Sequence, residues 1–297
     1  MATIDNAPVL SDSDSEPGDA IDTSQITLGT ITRRAKEMRT YLKTAADVWK
    51  SVDKKLTTWD AVSAMIPKCC RDDEVLFRFA LVRNFDYESA SRRYLRFCSS
   101  VAEIGIESLT KVPPAALPVV SGGPWHVLTE TDAQGRPVMN VYARYIDWSK
   151  YDIPAMKAAM VYYSWKVCTT NGYAAQQQGT VFGMFMQGMS MSMIKPEFEH
   201  FAMSMMSQTL PMRVSVMFAV DSTFAVRNII YPMLCLGLKA KMRKRIVWVT
   251  SSPDPKRGKP AYAELHEHLP VHIIPAEQGG HLAFDPAQES EAVMSTA

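Results

Sequence analysis

Three histidines, His266, His268 and His272, lie within the seven-residue segment "HEHLPVH". Imidazole nitrogens at short spacing are frequent ligands of Zn²⁺ in proteins. Side chains two residues apart on a helix point to different sides, however, and neither a cysteine nor a further carboxylate completes a set of four ligands. We therefore expect no metal site here, and we expect His266 and His268 to lie at the surface.

The short motifs that position catalytic groups on α/β folds are also missing. The segment from Gly183 to Gly188 has neither the Lys-Ser/Thr pair of a phosphate-binding loop nor the glycine spacing of a dinucleotide fold. No serine lies in a G-x-S-x-G turn, and Cys168 and Cys235 have no identifiable base nearby. The sequence thus predicts no catalytic residue and no cofactor. An α/β enzyme acting on a hydrophobic or phosphorylated small molecule remains the alternative.

The segment "MFMQGMSMSMIKP" (184–196) is unusually rich in methionine. Its five methionines are Met184, Met186, Met189, Met191 and Met193. Methionine is flexible and polarizable, so it fills irregular gaps and re-packs around variable shapes. Two interpretations follow: a core strand whose apolar positions happen to be methionine, or the lining of an adaptable apolar cavity.

The overall composition is that of a globular protein. The chain has 297 residues, which is long enough for one large or two modest domains. Of these residues 47% are apolar and 21% are charged. No stretch approaches the roughly 20 uninterrupted apolar residues of a membrane span, and the N-terminal "MATIDNAPVL" lacks the features of a secretory signal. Five cysteines without a C-x-x-C motif favour reduced thiols and a cytoplasmic location.

The charges are distributed unevenly along the chain. Residues 1–25 contain six acidic residues and residues 277–297 contain four, and neither segment has a lysine or arginine. Removing these ten acidic charges from the net charge of +1 leaves residues 26–276 at +11. A basic surface suits an anionic partner. Nucleic acid is disfavoured because the aromatic residues are not interleaved with the basic runs.

The sequence predicts four regions. They are a disordered acidic tail (1–29), a helical subdomain (30–110), an α/β domain (120–284) and a flexible tail (285–297). The acidic, apolar-poor segment "SDSDSEPGDA" identifies the first tail, and the Pro/Gly-rich passage 111–124 is the best internal boundary. Within the helical part, Asp72 is a plausible cap, and Asn84 and Asp86 divide the run 72–105 into two helices.

Beyond the boundary, strands and helices alternate. The predicted strands are 136–146, 180–187, 213–220 and 245–250, and the predicted helices are 153–170, 196–210 and 224–241. Strands separated by helices imply crossover connections and a mixed, mostly parallel sheet flanked by helices. The fold class is therefore α/β, preceded by helices.

Six segments in order resemble the CRAL-TRIO lipid-binding family. "DDEVLFRFALVRNFDYESASRRYLRF" (72–97) resembles its N-terminal helical segment, and "DAQGRPVMNV" resembles its Asp-x-x-Gly-Arg-Pro-Val turn and strand. "MFMQGMSMSMI" and "LPMRVSVMFAVDSTF" stand where the family has two further core strands. "KRIVWVTSS" and "LPVHIIPAEQGG" resemble its last core strand and closing Gly-Gly segment. The match spans roughly residues 40 to 284.

The resemblance implies a monomeric carrier that holds one hydrophobic lipid or phospholipid in an internal cavity beneath a mobile gate helix, 224–238. The expected cavity residues are Phe182, Met184, Met186, Met189, Met191, Ser215, Met217 and Ala219. The expected gate residues are Phe224, Ile229, Ile230, Met233 and Leu234, with Gly237 as a hinge. An ordinary amphipathic helix packed on the sheet is the alternative for this segment.

Two positions depart from the family pattern. Met212 stands where members that hold phosphatidylinositol have a glutamate, and Phe185 replaces a strand-end aspartate. "LPMR" looks more like the branch that binds tocopherol or retinaldehyde. The resemblance therefore implies a hydrophobic ligand, or a phospholipid held mainly by its tails.

A basic cluster directly follows the expected gate. Its residues are Lys239, Lys241, Arg243, Lys244 and Arg245. Near an anionic leaflet each such charge contributes about 1 kcal/mol of binding. The cluster could hold the gate at a membrane or bind a phosphoinositide headgroup, or be a solvated charge run. We expect a cytoplasmic protein that associates with membranes transiently.

Overall fold

The first part of the described chain is helical. A computed structural model describes residues 22–224, 226–231, 240–253, 259–288 and 291. The helices of this part are Leu28–Thr44 (α1), Ala46–Val52 (α2), Trp59–Met65 (α3), Asp73–Leu81 (α4) and Tyr87–Ile104 (α5). Helix α1 begins two residues before the expected start of order, because the Thr27 hydroxyl accepts a hydrogen bond from the backbone N–H of Thr30. Residues 1–21 of the acidic tail lie outside the described residues.

Between α4 and α5 the chain turns through two residues with a left-handed backbone. These are Asn84 at φ 52° and Phe85 at φ 61°. Asparagine tolerates this conformation, whereas a bulky residue such as Phe85 rarely adopts it. The guanidinium group of Arg34 covers the ring of Phe85, at 4.4 Å from the ring centroid. Asp86 then caps α5 by accepting backbone N–H groups of its first turn. The predicted division into two helices is confirmed.

A five-stranded sheet forms the second part. Its strands are Trp125–Thr131 (β1), Pro137–Tyr142 (β2), Thr180–Phe185 (β3), Val214–Val220 (β4) and Ile246–Val249 (β5). They lie in the order β1-β2-β3-β4-β5, with β1 antiparallel to β2 and the other pairs parallel. The predicted mixed, mostly parallel sheet is confirmed. The sequence prediction omits β1, whose second half is polar and largely exposed.

Six further helices accompany the sheet among the described residues. They are Leu117–Gly122 (α6), Ile153–Thr170 (α7), Gly172–Gln178 (α8), Pro196–Ser204 (α9), Ala240–Arg243 (α10) and Ala263–His268 (α11). Helix α7 has the predicted bounds, and its cap Asp152 accepts a hydrogen bond from the Ala155 N–H at 2.8 Å. Helix α9 is shorter than the predicted 196–210 because it passes into a π-helical turn, Met205–Thr209. Within the described ranges no helix is long and apolar enough to cross a bilayer.

Two apolar clusters pack on opposite faces of the sheet. Because side chains alternate along a strand, Phe182 joins the cluster built with α7, α9 and the N-terminal helices, whereas Val181 and Phe185 join the cluster around α11. Phe97 of α5 stacks on Trp165 of α7 with ring centroids 5.8 Å apart. Helix α7 is thus packed both on the N-terminal helices and on the face of the sheet that carries Phe182.

Candidate functional site

An apolar cavity lies between the sheet and helices α7 and α9. Its volume is about 190 Å³. Strands β2 to β5 form one wall, and Met160 of α7, Phe198 of α9, and Val226 and Tyr231 from the segment after β4 contribute to the opposite side. Among the described lining residues, all are apolar or aromatic except Glu199. The wall is therefore chemically suited to a hydrocarbon.

The register of β3 and β4 brings most of the predicted cavity residues together. Six of the eight line the cavity: Phe182, Met184, Met186, Met189, Met217 and Ala219. Phe182 pairs with Met217 and Met184 pairs with Ala219 across the two parallel strands. Because Ala219 is small, it leaves space beside the longer side chain of Met184. Contact of these residues with a lipid stays a prediction.

Methionine is enriched in this wall. Nine of the 23 described lining residues are methionines, although only 19 of the 297 residues in the chain are methionine. Such a wall can re-pack, since methionine has three rotatable side-chain bonds and no branch. The enrichment favours the adaptable-cavity interpretation of the methionine-rich segment over that of an ordinary core strand.

Two predicted cavity residues lie elsewhere. Met191 is 53% exposed in the 3₁₀ turn Met191–Met193, because the alternation of β3 ends at Phe185 and the chain turns at Gly188, where φ is 79°. Ser215 is outside the lining, and its hydroxyl accepts a hydrogen bond from Nη1 of Arg136 at 2.6 Å. Strand spacing alone did not reveal this polar partner, which comes from the β1–β2 turn.

The expected gate segment is described in part. Its beginning forms a π-helical turn, Val226–Ile230, which includes Ile229 and Ile230, and Phe224 before it is 80% exposed. Met233, Leu234 and Gly237 lie outside the described residues. Val226 and Tyr231 border the cavity, and the Tyr231 ring meets that of Trp248 edge-on at 4.8 Å.

The expected basic cluster has at least two different environments. Arg243 and Lys244 are exposed after α10, whereas Arg245 is half-buried and donates a hydrogen bond to the backbone carbonyl of Val214. Arg245 therefore joins β5 to β4, and its role in headgroup or membrane contact stays a prediction. Lys239 lies outside the described residues, as does the side chain of Lys241.

Glu199 is the one charged residue of the described cavity lining, and the sequence prediction missed it. It lies on the face of α9 that also carries Ala202 and Met203, at spacings of three and four residues, and Met206 follows in the π-helical turn after α9. That spacing is a signal that could have identified it. Burial in apolar surroundings raises the pKa of its carboxyl group to about 7.

Met212 and Phe185, the two departures from the family pattern, both lie in packed regions. Met212 is 3% exposed and lies outside the cavity lining, and the next residue, Arg213, donates to the carbonyl of Val82 at 2.9 Å. Phe185 stacks on Tyr142 with centroids 5.0 Å apart on the opposite face of the sheet, and also reaches the cavity wall.

The residues considered for metal binding or catalysis do not form a cluster. His266 and His268 are exposed, as expected, and Nε2 of His272 lies 2.9 Å from a carboxylate oxygen of Glu130. Over the described ranges, no group of three or more His, Cys, Asp or Glu side chains could hold a metal ion. Burial raises the pKa of the Cys168 thiol to about 12. Cys235 lies outside the described residues.

Comparison with known proteins identifies the family. Residues 125–280, slightly more than half of the 297, match the CRAL/TRIO domain. No curated protein sequence matches the chain significantly. Among solved structures, the crystal structure of Sfh5 aligns over 89% of this chain and 96% of its own, at 10% sequence identity and a TM-score of 0.48. The matched residues include β1 to β5 and the described cavity lining, and the chain belongs to the CRAL/TRIO family.

Proposed function

We propose that this chain binds a hydrophobic lipid, or the tails of a phospholipid, in the cavity and transfers or presents it at membranes. The CRAL/TRIO family is one of lipid-binding and lipid-transfer proteins, which supports the general class. The observation that carries the proposal is the methionine-rich apolar cavity within the matched residues. Burying a hydrocarbon chain there gains about 0.8 kcal/mol per CH₂ group.

The size of the cavity implies that its wall moves when a ligand enters. Its volume of about 190 Å³ is below the roughly 300 to 1,000 Å³ of typical small-molecule pockets. Methionine side chains can change rotamer at low cost, which supports an expansion of the cavity by rearrangement of its own wall. The segment 224–238 acts as the gate in this proposal, since Val226 and Tyr231 border the cavity and the adjoining Phe224 is exposed.

Membrane contact follows from the charge near this gate. Arg243 and Lys244 are exposed shortly after it, and residues 26–276 carry a net charge of +11. An anionic leaflet, including one that contains phosphoinositides, would attract this surface. In this proposal the chain is a cytoplasmic, monomeric carrier without catalytic activity. Residues 30–110 form its helical subdomain and residues 120–284 the lipid domain. Residues 289–290 and 292–297 of the expected tail lie outside the described residues.

Filling the cavity tests the proposal. Ala219→Phe places a ring beside Met184, in the space that a hydrocarbon chain would occupy. We expect the variant to extract at least tenfold less lipid from vesicles than the wild type, while its Tm stays within a few degrees or rises, because the ring fills existing space. Undiminished extraction by the folded variant would contradict binding in this cavity.

A further inference from the structure

The carboxyl group of Glu199 is the one charged group in the described wall of the cavity. The neighbouring wall residues on α9 are Phe198, Ala202 and Met203, and the facing wall is made of sheet side chains such as Met184 and Met217. A carboxylate at such a position loses hydration and gains nothing from its surroundings. The side chain is partly accessible, so a ligand that covers it must replace the hydrogen bonds that water makes to it.

Across the ranges that the structure describes, the carboxyl group of Glu199 has no hydrogen-bond or ion-pair partner. Glu197, two residues earlier on the same helix, is exposed and pairs with Nζ of Lys157 at 2.7 Å. Burial is the cause of the raised pKa of Glu199, so protonated and ionised forms coexist near neutral pH. In either form an oxygen of the group is available to accept a hydrogen bond.

We propose that Glu199 anchors the polar end of the ligand, and that the cavity selects lipids carrying a hydrogen-bond donor, a hydroxyl or a protonated amine, over lipids that carry only acceptors. This inference rests on the proposed function of the cavity. A donor on the ligand satisfies the ionised carboxylate, whereas an ether or ester oxygen leaves its lone pairs facing those of the carboxylate. The selectivity therefore belongs to the ionised form, since the protonated form can itself donate to such an oxygen. A site built to bond a donor discriminates strongly against an analogue that lacks one.

Internal competition tests this selectivity. The full chain is incubated at pH 8, where most of the Glu199 carboxyl group is ionised, with phosphatidylcholine vesicles containing equal amounts of hexadecanol, hexadecylamine and hexadecyl methyl ether. The protein is then re-isolated by gel filtration, and the three bound probes are quantified by mass spectrometry. Each probe has the same chain, so the ratio of donor-bearing probe to ether reports the polar end alone. Because the probes compete for one protein sample, the ratio is unaffected by the amount of folded protein. A hydrogen bond to a charged group predicts a ratio of about ten or more for at least one donor-bearing probe.

The variants assign the selectivity to one side chain. We expect Glu199→Leu to bring the ratio close to one, and Glu197→Leu, the control on the same helix, to leave it unchanged. Glu199→Gln should lower the preference for the alcohol, because its amide can also donate to the ether oxygen, and should remove the charge-based preference for the amine. Equal binding of all three probes by the wild type would overturn the role of Glu199 while leaving the lipid cavity intact. Failure to take up any probe or phosphatidylcholine would overturn both.

Discussion

Replacing Glu199 with glutamine should change how the stability of the protein depends on pH. The side chain borders an apolar cavity, and burial raises the pKa of its carboxyl group from the ordinary 4.5 to about 7. The folded protein therefore holds this proton more tightly than the unfolded chain does. The resulting contribution to stability is fully present below pH 4.5 and is lost as the pH rises through about 7. Glutamine has nearly the same size and does not titrate.

The size of the effect follows from the two pKa values. Each pKa unit between the folded and unfolded states corresponds to about 1.4 kcal/mol, so the difference of about 2.5 units corresponds to about 3 kcal/mol. Part of the surface of Glu199 remains accessible, which reduces the penalty for ionising it. We therefore expect the free energy of unfolding of the wild type, relative to Glu199→Gln, to fall by about 2 kcal/mol between pH 5 and pH 8.

Urea denaturation of both proteins at pH 5, 6, 7 and 8 measures this difference. All other titrating groups are common to the two proteins, so they cancel in the subtraction. Glu197→Gln is the matched control, because Glu197 is an exposed carboxylate on the same helix, and its difference from the wild type should vary little over this range. A difference between wild type and Glu199→Gln that is constant with pH would refute the burial of a titrating carboxyl group in the wall.

Three further predictions concern the gate, the membrane surface and the sheet. Phe224→Asp should lower lipid extraction from vesicles, and its Tm should not change because the Phe224 side chain is 80% exposed. The control Leu28→Asp, at an equally exposed position (78%) on α1, should change neither extraction nor Tm. Unchanged extraction by the Phe224 variant would remove it from the gate. The double variant Arg243→Ala, Lys244→Ala should bind anionic vesicles at least tenfold more weakly at low salt, as measured by co-sedimentation, because each charge contributes about 1 kcal/mol of binding. An equal loss of binding to neutral vesicles would contradict an electrostatic contact. Arg136→Ala should lower the free energy of unfolding by about 3 kcal/mol in urea, since it removes the ion-pair partner of the fully buried Asp132 carboxylate and leaves it only the backbone N–H groups of Gln134 and residue 136. A loss below 1 kcal/mol would contradict that pairing.

The elements that were predicted correctly are those with local signals. Helix α7 has the predicted bounds because its cap Asp152, the proline in its first turn and its apolar positions are all close in sequence. The face of β3 that carries Phe182 and Met184 follows from the two-residue period of a strand. Both features therefore follow without knowledge of the rest of the chain.

The features that were missed depend on tertiary contacts. Arg245 was grouped with exposed basic residues, but its guanidinium reaches a carbonyl of the neighbouring strand, a contact set by the β4–β5 pairing. Met191 was grouped with the cavity as part of the methionine-rich segment, but the chain turns at Gly188 and Met191 lies in an exposed 3₁₀ turn. Glu199 was overlooked because a single acid in a helix ordinarily faces solvent, and only the packing of α9 on the cavity places it in the wall.

The most direct test of the central claim is to identify what the protein carries. The full chain is purified without detergent and extracted with organic solvent, and the extract is analysed by mass spectrometry against a parallel preparation of Ala219→Phe. We predict a near-stoichiometric lipid of one chemical class in the wild type and a large loss of it in the variant. A wild-type protein that is empty, and that also fails to take up lipid from vesicles, would contradict the account. The methionine-rich wall would then be an ordinary core, and the α/β enzyme would become the leading alternative.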